Sequence, residues 1–483
     1  MSLRTTDPAP AVGVADPRDT TRDALDSLLA HLATTTPGLE LSAPSPATAA
    51  YGHDRSSIGR NAVDGATGPA VAFPASAVEV QAIVRAAAAH GVAVVARGAG
   101  SGLSGGAVAT AEQLVVSTDR LNRIVEVSPL DELAVVEPGV VNADLNVALE
   151  PAGLFYAPDP ASWDISTIGG NIATNAGGLR CAKYGVTRES VLALDVVLAD
   201  GSLVTLGRHS LKGVAGYDLR SLFVGSQGTL GIVVRATVRL RPIPVARRTL
   251  TAFFDDTATG AAALAAITRS PVRPSVVEFF DTGSLENIDR HSGTELRSRG
   301  GSLVLVELDG YGIDEQIADL DRALTDAGGR VRVESDADAA RLWELRRSGR
   351  GFDGARWFTG GDIAVPKSRI PEVYAFLDEL ATRHGIEASA VSHAGDGNLH
   401  PVLSLEIPEG ADPAVPDPAL AAANDELVRF AIGLGGTITG EHGLGSLKRH
   451  LAPLEFSERA IDAQRAIKHA LDPDGVLNPG SAL

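Results

Sequence analysis

The sequence predicts an α+β protein of two domains followed by a C-terminal segment, and three observations predict it. A glycine-rich loop at residues 98–106 gives way to the next strand after only residues 107–113. That is shorter than the dozen or so residues a helical crossover needs in a doubly wound sheet. Residues 246–430 alternate short strands with helices, which suits an α+β cap over a site. Pro242 and Pro244 stand between these two regimes as a linker signal. At 483 residues the chain has room for two or more domains. The expected division is an N-terminal arm over 1–45, a first domain over 46–245, a cap over 246–430 and a closing segment over 431–483.

Composition narrows the function classes. The formal net charge is -18, from 42 basic and 60 acidic residues, so nucleic acid and anionic membranes are poor partners. The single cysteine, Cys181, allows no internal disulfide and fits a reducing compartment. It reads as a small buried apolar residue or as a reactive thiol. The first thirty residues carry Asp7, Asp16, Asp19, Asp23 and Asp26 and no apolar core, so no signal peptide is expected. No apolar run approaches the roughly 18 residues of a spanning helix. The expected address is the cytoplasm.

The front half reads in order as follows. Helices are expected over 22–32 and 78–90, the second ended by Gly91, and a buried strand over 92–96. Then come Arg97, Gly98, Ala99, Gly100, Ser101, Gly102, Leu103, Ser104, Gly105 and Gly106. Glycines at this density let backbone N–H groups turn inward together, a nest for phosphate. Gly100, Gly102 and Gly105 match G-x-G-x-x-G, but the loop length argues against a Rossmann unit. A phosphate cradle in an α+β domain is the better reading, with a ligand-free turn as the alternative. A strand ending at Val136 leads into a tight turn at Pro138-Gly139. After Pro158-Asp159-Pro160, residues 167–178 form a second glycine-and-amide stretch. Its side chains are too small to block close approach, so it reads as a wall against a flat, polar ligand. Residues 191–198 and 203–206 flank Asp200-Gly201 as a hairpin, and a strand over 233–240 closes the domain.

In the back half, strands are expected near 250–254, 275–279, 303–308, 331–334 and 436–439. Helices are expected near 260–269, 315–327, 371–384, 419–434 and 458–471, and residues 406–418 read as a solvent loop. The informative stretch is Ser392-His393-Ala394-Gly395-Asp396-Gly397-Asn398-Leu399-His400. With Asp396-Gly397 as a two-residue turn, His393 faces His400. Facing Cβ atoms lie about 4.5–5.5 Å apart, close enough for both imidazoles to reach one cation. Glu441-His442 is the best candidate to complete the set, and a hairpin with two structural histidines is the alternative. Two histidines and a carboxylate suit zinc, with manganese or iron as further candidates. His442 is the candidate general base.

These runs together resemble the PCMH-type FAD-binding (vanillyl-alcohol oxidase) family, in its D-lactate/glycolate/D-2-hydroxyglutarate dehydrogenase branch. The carrying motifs are RGAGSGLSGG, PDPASWDISTIGGNIATNAGG, CAKYGVT, GYDL, GSQGTLGI, SHAGDGNLH, GEHGLG and DPDGVLNPG, spread from about residue 78 to the C-terminus. The resemblance implies an FAD-binding domain over 46–245 and a closing segment that packs back on it. It implies FAD with its pyrophosphate on Gly98, Ala99, Gly100, Ser101, Gly102, Leu103 and Ser104. Pro138, Gly139, Pro158, Asp159, Ile168, Gly169, Gly170, Ala173 and Asn175 would line the cofactor. So would Gly228, Gly231, Ile232 and Asn478. Ser101 stands where some members carry the histidine that attaches FAD, so non-covalent FAD is expected. Gln227 stands where the branch often has Glu, a mild change because either accepts a hydrogen bond.

The resemblance also assigns the metal to His393, His400 and Glu441, the base to His442 and the substrate carboxylate to Arg346. The implied reaction is oxidation of a D-2-hydroxy acid to the 2-oxo acid. Electrons would pass to a separate acceptor such as a quinone, a cytochrome or an electron-transfer flavoprotein. Two departures bear on substrate. Gly360-Gly361 precede Asp362, where 2-hydroxyglutarate members tend to have a lysine, and Val402 stands where they tend to have Asn. With Trp357 and Phe358 nearby, a monocarboxylate such as D-lactate or glycolate is expected. The alternatives are a D-2-hydroxyglutarate dehydrogenase, a metal-dependent hydrolase without flavin chemistry and a non-catalytic flavoprotein subunit. Use of dioxygen and a homodimer are left open.

Overall fold

Strands Val94–Arg97 and Leu114–Ser117 are parallel neighbours, and the glycine-rich loop is the whole connection between them. No helix crosses over, so the loop is free to line a cavity instead of launching a helix as a Rossmann unit requires. This is a computed structural model, which describes residues 17–57, 67–348 and 356–482. The Pro/Ala/Thr-rich start of the chain lies outside the described residues.

Two sheets make the front. The first has the order Glu40–Ser42, Ala70–Phe73, Leu114–Ser117, Val94–Arg97. Helix Ala77–His90 covers it and shows why its sequence is helical. Ser76 accepts from Glu79 N at the start, and Gly91 closes the end in the left-handed region at φ 64°. Helix Pro17–Thr35 packs beside it, burying Leu25, Leu28 and Leu32 in the same core as Ile83 and Val84. The second sheet is antiparallel, in the order Ile124–Ser128, Leu133–Val136, Ile232–Arg239, Val191–Val197, Leu203–Gly207. Residues 167–178, read from sequence as a wall against a flat ligand, contain the short helix Ile168–Thr174.

The back is one antiparallel sheet of eight strands. Its order runs Arg330–Val333, Arg247–Phe254, Ser302–Asp309, Val276–Phe280, Glu387–His393, Asn398–Glu406, Arg356–Gly360, with Ile363–Ala364 paired beside the sixth. One face is closed by helices Thr257–Arg269, Ile313–Asp326, Ile370–His384 and Pro418–Gly433 over Phe254, Phe279, Val304 and Leu399. The other face carries helices Thr282–Ser292 and Asp336–Ser348 at one side, over Phe253, Phe280 and Leu305. His393, His400 and Glu278 lie on that second face, in register with these residues.

Two expectations are corrected. The Asp396-Gly397 hairpin is not a two-residue turn: His393 pairs with Asn398 and His400 with Val391, leaving residues 394–397 as the loop. Tertiary contacts decide this. Gly395 N donates to Val277 O at 3.2 Å, and Val365 N donates to Gly397 O at 3.0 Å. A Cβ on Gly397 would stand 2.1 Å from Val365 O. The strand expected over 436–439 is a single bridge between Thr437 and Ala364. Ile438 N instead donates to the Glu455 carboxylate at 2.9 Å, which takes it off the ladder, and the Thr437 hydroxyl donates to the same oxygen at 2.8 Å.

The C-terminal segment returns to the front. After helix Glu458–Leu471, Leu477 bridges Val94 at the open edge of the first sheet. Asp472, 2% exposed, holds the return. Its carboxylate accepts from Val476 N at 2.9 Å, from Leu477 N at 2.8 Å and from Lys468 Nζ. Among the described residues no helix is long and apolar enough to cross a membrane. Removing the Asp472 carboxylate leaves the N–H groups of Val476 and Leu477 without their acceptor, while Lys468 Nζ keeps Thr229 O and Leu477 O. Asp472→Ala is therefore expected to lower unfolding free energy by about 2–4 kcal/mol, read as a lower urea midpoint at unchanged slope.

Candidate active site

The glycine loop and the second glycine stretch face each other across a cavity of about 330 Å³. Gly98, Ala99, Gly100, Ser101, Gly102, Leu103 and Ser104 line it on one side. Pro138, Gly169, Gly170, Ala173, Gly228, Gly231 and Ile232 line the other. The glycines are dictated by close approach. A Cβ on Gly98 would lie 2.4 Å from Thr167 Oγ1, and one on Gly169 would lie 2.4 Å from Pro138 Cβ. Gly100 and Gly105 take φ of 66° and 80°, the left-handed region. Arg97 stiffens the loop from beneath, donating to His53 O at 2.7 Å and Ala50 O at 3.0 Å. A slot walled by backbone in this way fits a flat, phosphate-bearing cofactor.

The remaining residues expected at the cofactor stand behind this lining or elsewhere. A Cβ on Gly139 would meet Thr118 O at 2.1 Å, and Ile168 is buried in the core beneath. Pro158 O accepts from Asn142 Nδ2 at 2.9 Å. Asn175 ends its helix at φ 55° and accepts from Arg188 N. Asn478 clamps the two walls, donating to Gly106 O at 2.8 Å and Gln227 O at 2.7 Å. Asp159 lines a neighbouring cavity instead, where burial pushes its carboxyl up to about 6 despite Arg180.

That neighbouring cavity, of about 790 Å³, holds the metal-ligand candidates. His400 Nε2 is 3.2 Å from Glu441 Oε1, and His393 Nε2 is 3.8 Å from the same oxygen. Donors bound at about 2.0–2.1 Å around a tetrahedral cation stand roughly 3.3 Å apart, so the trio fits one ion. Asp362, His400 and His442 form a second, overlapping group. His393 is oriented by Glu278, whose Oε1 accepts from Nδ1 at 2.6 Å. This is the carboxylate–imidazole arrangement that aims a ligating nitrogen. Burial alone would lower His393, but Glu278 and Glu441 outweigh it and push it up to about 10. Burial alone would raise Glu441, but His393 and His400 hold it well below the usual carboxylate range.

Arg346, 5% exposed, is brought to the same place. Its Nε donates to the other oxygen of Glu278, and Nη2 lies 3.4 Å from His393 Nδ1. His442 stands where the two cavities meet, and both are lined by Glu441 and His442. Its Nδ1 lies 3.9 Å from Asp362 Oδ2. Asp362 also accepts from His442 N at 2.9 Å, Thr439 Oγ1 at 2.6 Å and Asn398 Nδ2 at 2.9 Å. Burial would raise its carboxyl, but His442, Lys448 and His400 drive it far below the usual range. Gly360, Gly361, Val402 and Phe358 line the larger cavity. Trp357 points away, donating to Pro413 O at 2.9 Å. Cys181 is buried beside the site, and burial pushes its thiol up, so it is a packing residue rather than a reactive one.

Sequence alone does not single out Glu278 or Asp362 as functional. Glu278 carries a readable signal, a lone carboxylate inside the apolar strand Val276–Phe280. Asp362 carries none, because only the fold brings its neighbours together.

The comparisons agree with this architecture. Residues 69–207 match the family model "FAD binding domain", and residues 243–482 match "FAD linked oxidases, C-terminal domain". The protein is 38% identical to glycolate oxidase subunit GlcD of Bacillus subtilis (strain 168), covering 85% of this sequence and 88% of that one. It is 38% identical to a D-2-hydroxyglutarate dehydrogenase of Xanthomonas citri pv. viticola, over 85% and 88%. It is 34% identical to a D-lactate dehydrogenase of Archaeoglobus fulgidus, over 86% and 91%. The fold superposes on 4-ethylphenol oxidase from Gulosibacter chungangensis with a TM-score of 0.73 at 21% identity, covering 97% and 98%.

The Glu278 contact generates a direct test. Glu278→Gln keeps the shape but weakens the acceptor on His393. It is expected to lower Zn²⁺ affinity about 10–100-fold in a chelator-competition titration, with near-UV circular dichroism unchanged. Unchanged affinity would remove Glu278 from the orienting role.

Proposed function

This chain belongs to the PCMH-type FAD-linked oxidoreductases, alongside relatives named for glycolate, D-lactate and D-2-hydroxyglutarate, and on that premise we propose that it oxidises a D-2-hydroxy monocarboxylate to the 2-oxo acid. The observation that carries the proposal is the junction of the two cavities at Glu441 and His442. A hydroxy acid there has its C2 beside the flavin slot and its oxygens beside the His/His/Glu cluster. When bound, FAD supplies the two-electron acceptor and a divalent metal, zinc in the first instance, supplies a Lewis acid.

The protein's own residues do the rest. His393, His400 and Glu441 hold the metal. Arg346 pairs the substrate carboxylate with the guanidinium edge that Glu278 leaves free. His442 removes the hydroxyl proton, and the Asp362 carboxylate anchors the turn that carries it by accepting from His442 N. The FAD is held without a covalent bond, since Ser101 is the loop residue at the attachment position and residues 97–106 include no histidine. Electrons leave to a separate acceptor, a quinone, a cytochrome or an electron-transfer flavoprotein. The hydrolase alternative loses its basis, because the matched FAD-binding region contains both glycine-rich stretches.

Gly360, Gly361 and Val402 on the cavity wall favour a monocarboxylate, since none supplies a partner for a second carboxylate. D-2-hydroxyglutarate is the second reading, favoured by the 38% identical relative and by Arg180 and Arg247 on the same cavity. Anaerobic mixing with D-lactate is expected to bleach the visible flavin band, while L-lactate does not and a chelator abolishes the effect. A roughly tenfold preference for D-2-hydroxyglutarate over D-lactate, about 1.4 kcal/mol, would reverse the assignment. His442→Ala is expected to lower kcat about 10²–10⁴-fold at unchanged flavin content. Arg346→Lys is expected to act chiefly on KM, because a point charge replaces a bidentate donor.

A further inference from the structure

With a substrate's carboxylate and hydroxyl held near His400, the remaining question is where the rest of the molecule goes. A third cavity, of about 270 Å³, opens beyond His400. His400, Val402 and Phe358 line both it and the substrate cavity. The strand register explains the continuity. Alternate residues share a face, so His400, Val402 and Ser404 stand in line along strand Asn398–Glu406. Val391 pairs with His400, and Phe358 pairs with Ser404, on the same face. From His400 to Ser404 the strand rises about 13 Å. Ile288 and Asn287 of helix Thr282–Ser292 also line this trough.

Val391, Val402, Phe358 and Ile288 give the trough beside His400 an apolar wall, and Arg290 and His291 of helix Thr282–Ser292 also line it. Arg356, at its far end, is matched by carboxylates. Arg356 pairs with Glu387 at 2.9 Å and with Glu406 at 3.5 Å. Its Nε is buried without a hydrogen-bond partner among the described residues, so an alkyl tail ending in a carboxylate is the competing occupant.

Resting on the hydroxy-acid reading above, we propose that this trough is a subsite for the alkyl tail of the substrate, and that the preferred substrates are unbranched D-2-hydroxy monoacids longer than D-lactate. Each methylene buried there contributes, so kcat/KM is expected to rise roughly threefold per added carbon from D-lactate through D-2-hydroxybutanoate to D-2-hydroxyhexanoate. Ser404→Phe fills the trough away from the reacting atoms. It is expected to abolish that rise and leave D-lactate turnover unchanged, which also reports a folded enzyme. Asn287→Phe closes the trough from the helix side and is expected to do the same if Ser404→Phe does not fold.

The outcomes separate. D-lactate turnover with no rise along the series, or a rise that both variants retain, overturns the subsite and leaves the hydroxy-acid reading standing. Preference for D-2-hydroxyadipate over D-2-hydroxyhexanoate overturns the alkyl assignment in favour of Arg356 as a carboxylate anchor. Failure of every D-2-hydroxy acid to bleach the flavin overturns the underlying reading, and the subsite falls with it.

Discussion

The site depends on the buried carboxylate of Asp362. It collects the backbone N–H groups of Glu441 and His442, the hydroxyl of Thr439 and the amide of Asn398, with Lys448 Nζ 3.4 Å away. Asn398 belongs to the hairpin that carries His393 and His400. One carboxylate therefore fixes the 439–442 turn against the histidine hairpin and sets the distance from His400 to Glu441. Burying a carboxylate is costly unless its lone pairs are satisfied and its charge is balanced. Here both conditions are met, so the charge is a rigid locator. The alternative positions of the turn would leave that charge unpaired.

The same turn is tied to the front of the molecule. Ser104 Oγ donates to His442 O at 2.8 Å, and Gly445 N donates to Gln227 Oε1 at 2.8 Å. Gln227 Nε2 in turn lies 3.3 Å from Ser104 Oγ. Ser104 closes the glycine loop, and Gln227 sits in the third glycine run, so the flavin slot and the histidine cluster are built on one hydrogen-bonded junction. A substitution of Gln227 by Glu, mild when only acceptors are counted, removes the donor that faces Ser104. That hydroxyl has one proton, already given to His442 O. The amide is thus suited to this junction in a way that sequence comparison of side-chain size does not reveal.

Much of this is legible in the sequence, and the exceptions have physical causes. The glycine density and the short stretch before the next strand point away from a Rossmann unit, and the strands Val94–Arg97 and Leu114–Ser117 are joined by that loop alone. The pairing of two histidines with Glu441 follows from a predicted hairpin whose register is wrong by two residues. It survives because a shift of two keeps both side chains on the same face, where a shift of one would split them. The turn itself is not readable, since Gly395 and Gly397 answer to Val277 and Val365 on distant strands. The strand at 436–439 fails for the same reason, drawn off by Glu455. Glu278 and Asp362 escape because their function lies in what they orient rather than in any local motif.

Charge balance favours a divalent cation at the cluster. Among the described residues, Glu278, Asp362 and Glu441 pair directly with two permanent cations, Arg346 and Lys448. Neutral histidines leave that group one negative charge in excess, and a hydroxy acid brings another carboxylate. Two anions brought together with little water between them repel, which favours the entry of positive charge along with the substrate. Without metal, that charge comes from a proton on His393, which Glu278 and Glu441 hold against burial. A proton there occupies one nitrogen and offers no open coordination position. A divalent cation held by His393, His400 and Glu441 would balance the group together with the substrate carboxylate and would take the place of that proton. The arrangement of Glu278 behind His393 then serves both states, holding the ring in one orientation whichever charge it carries.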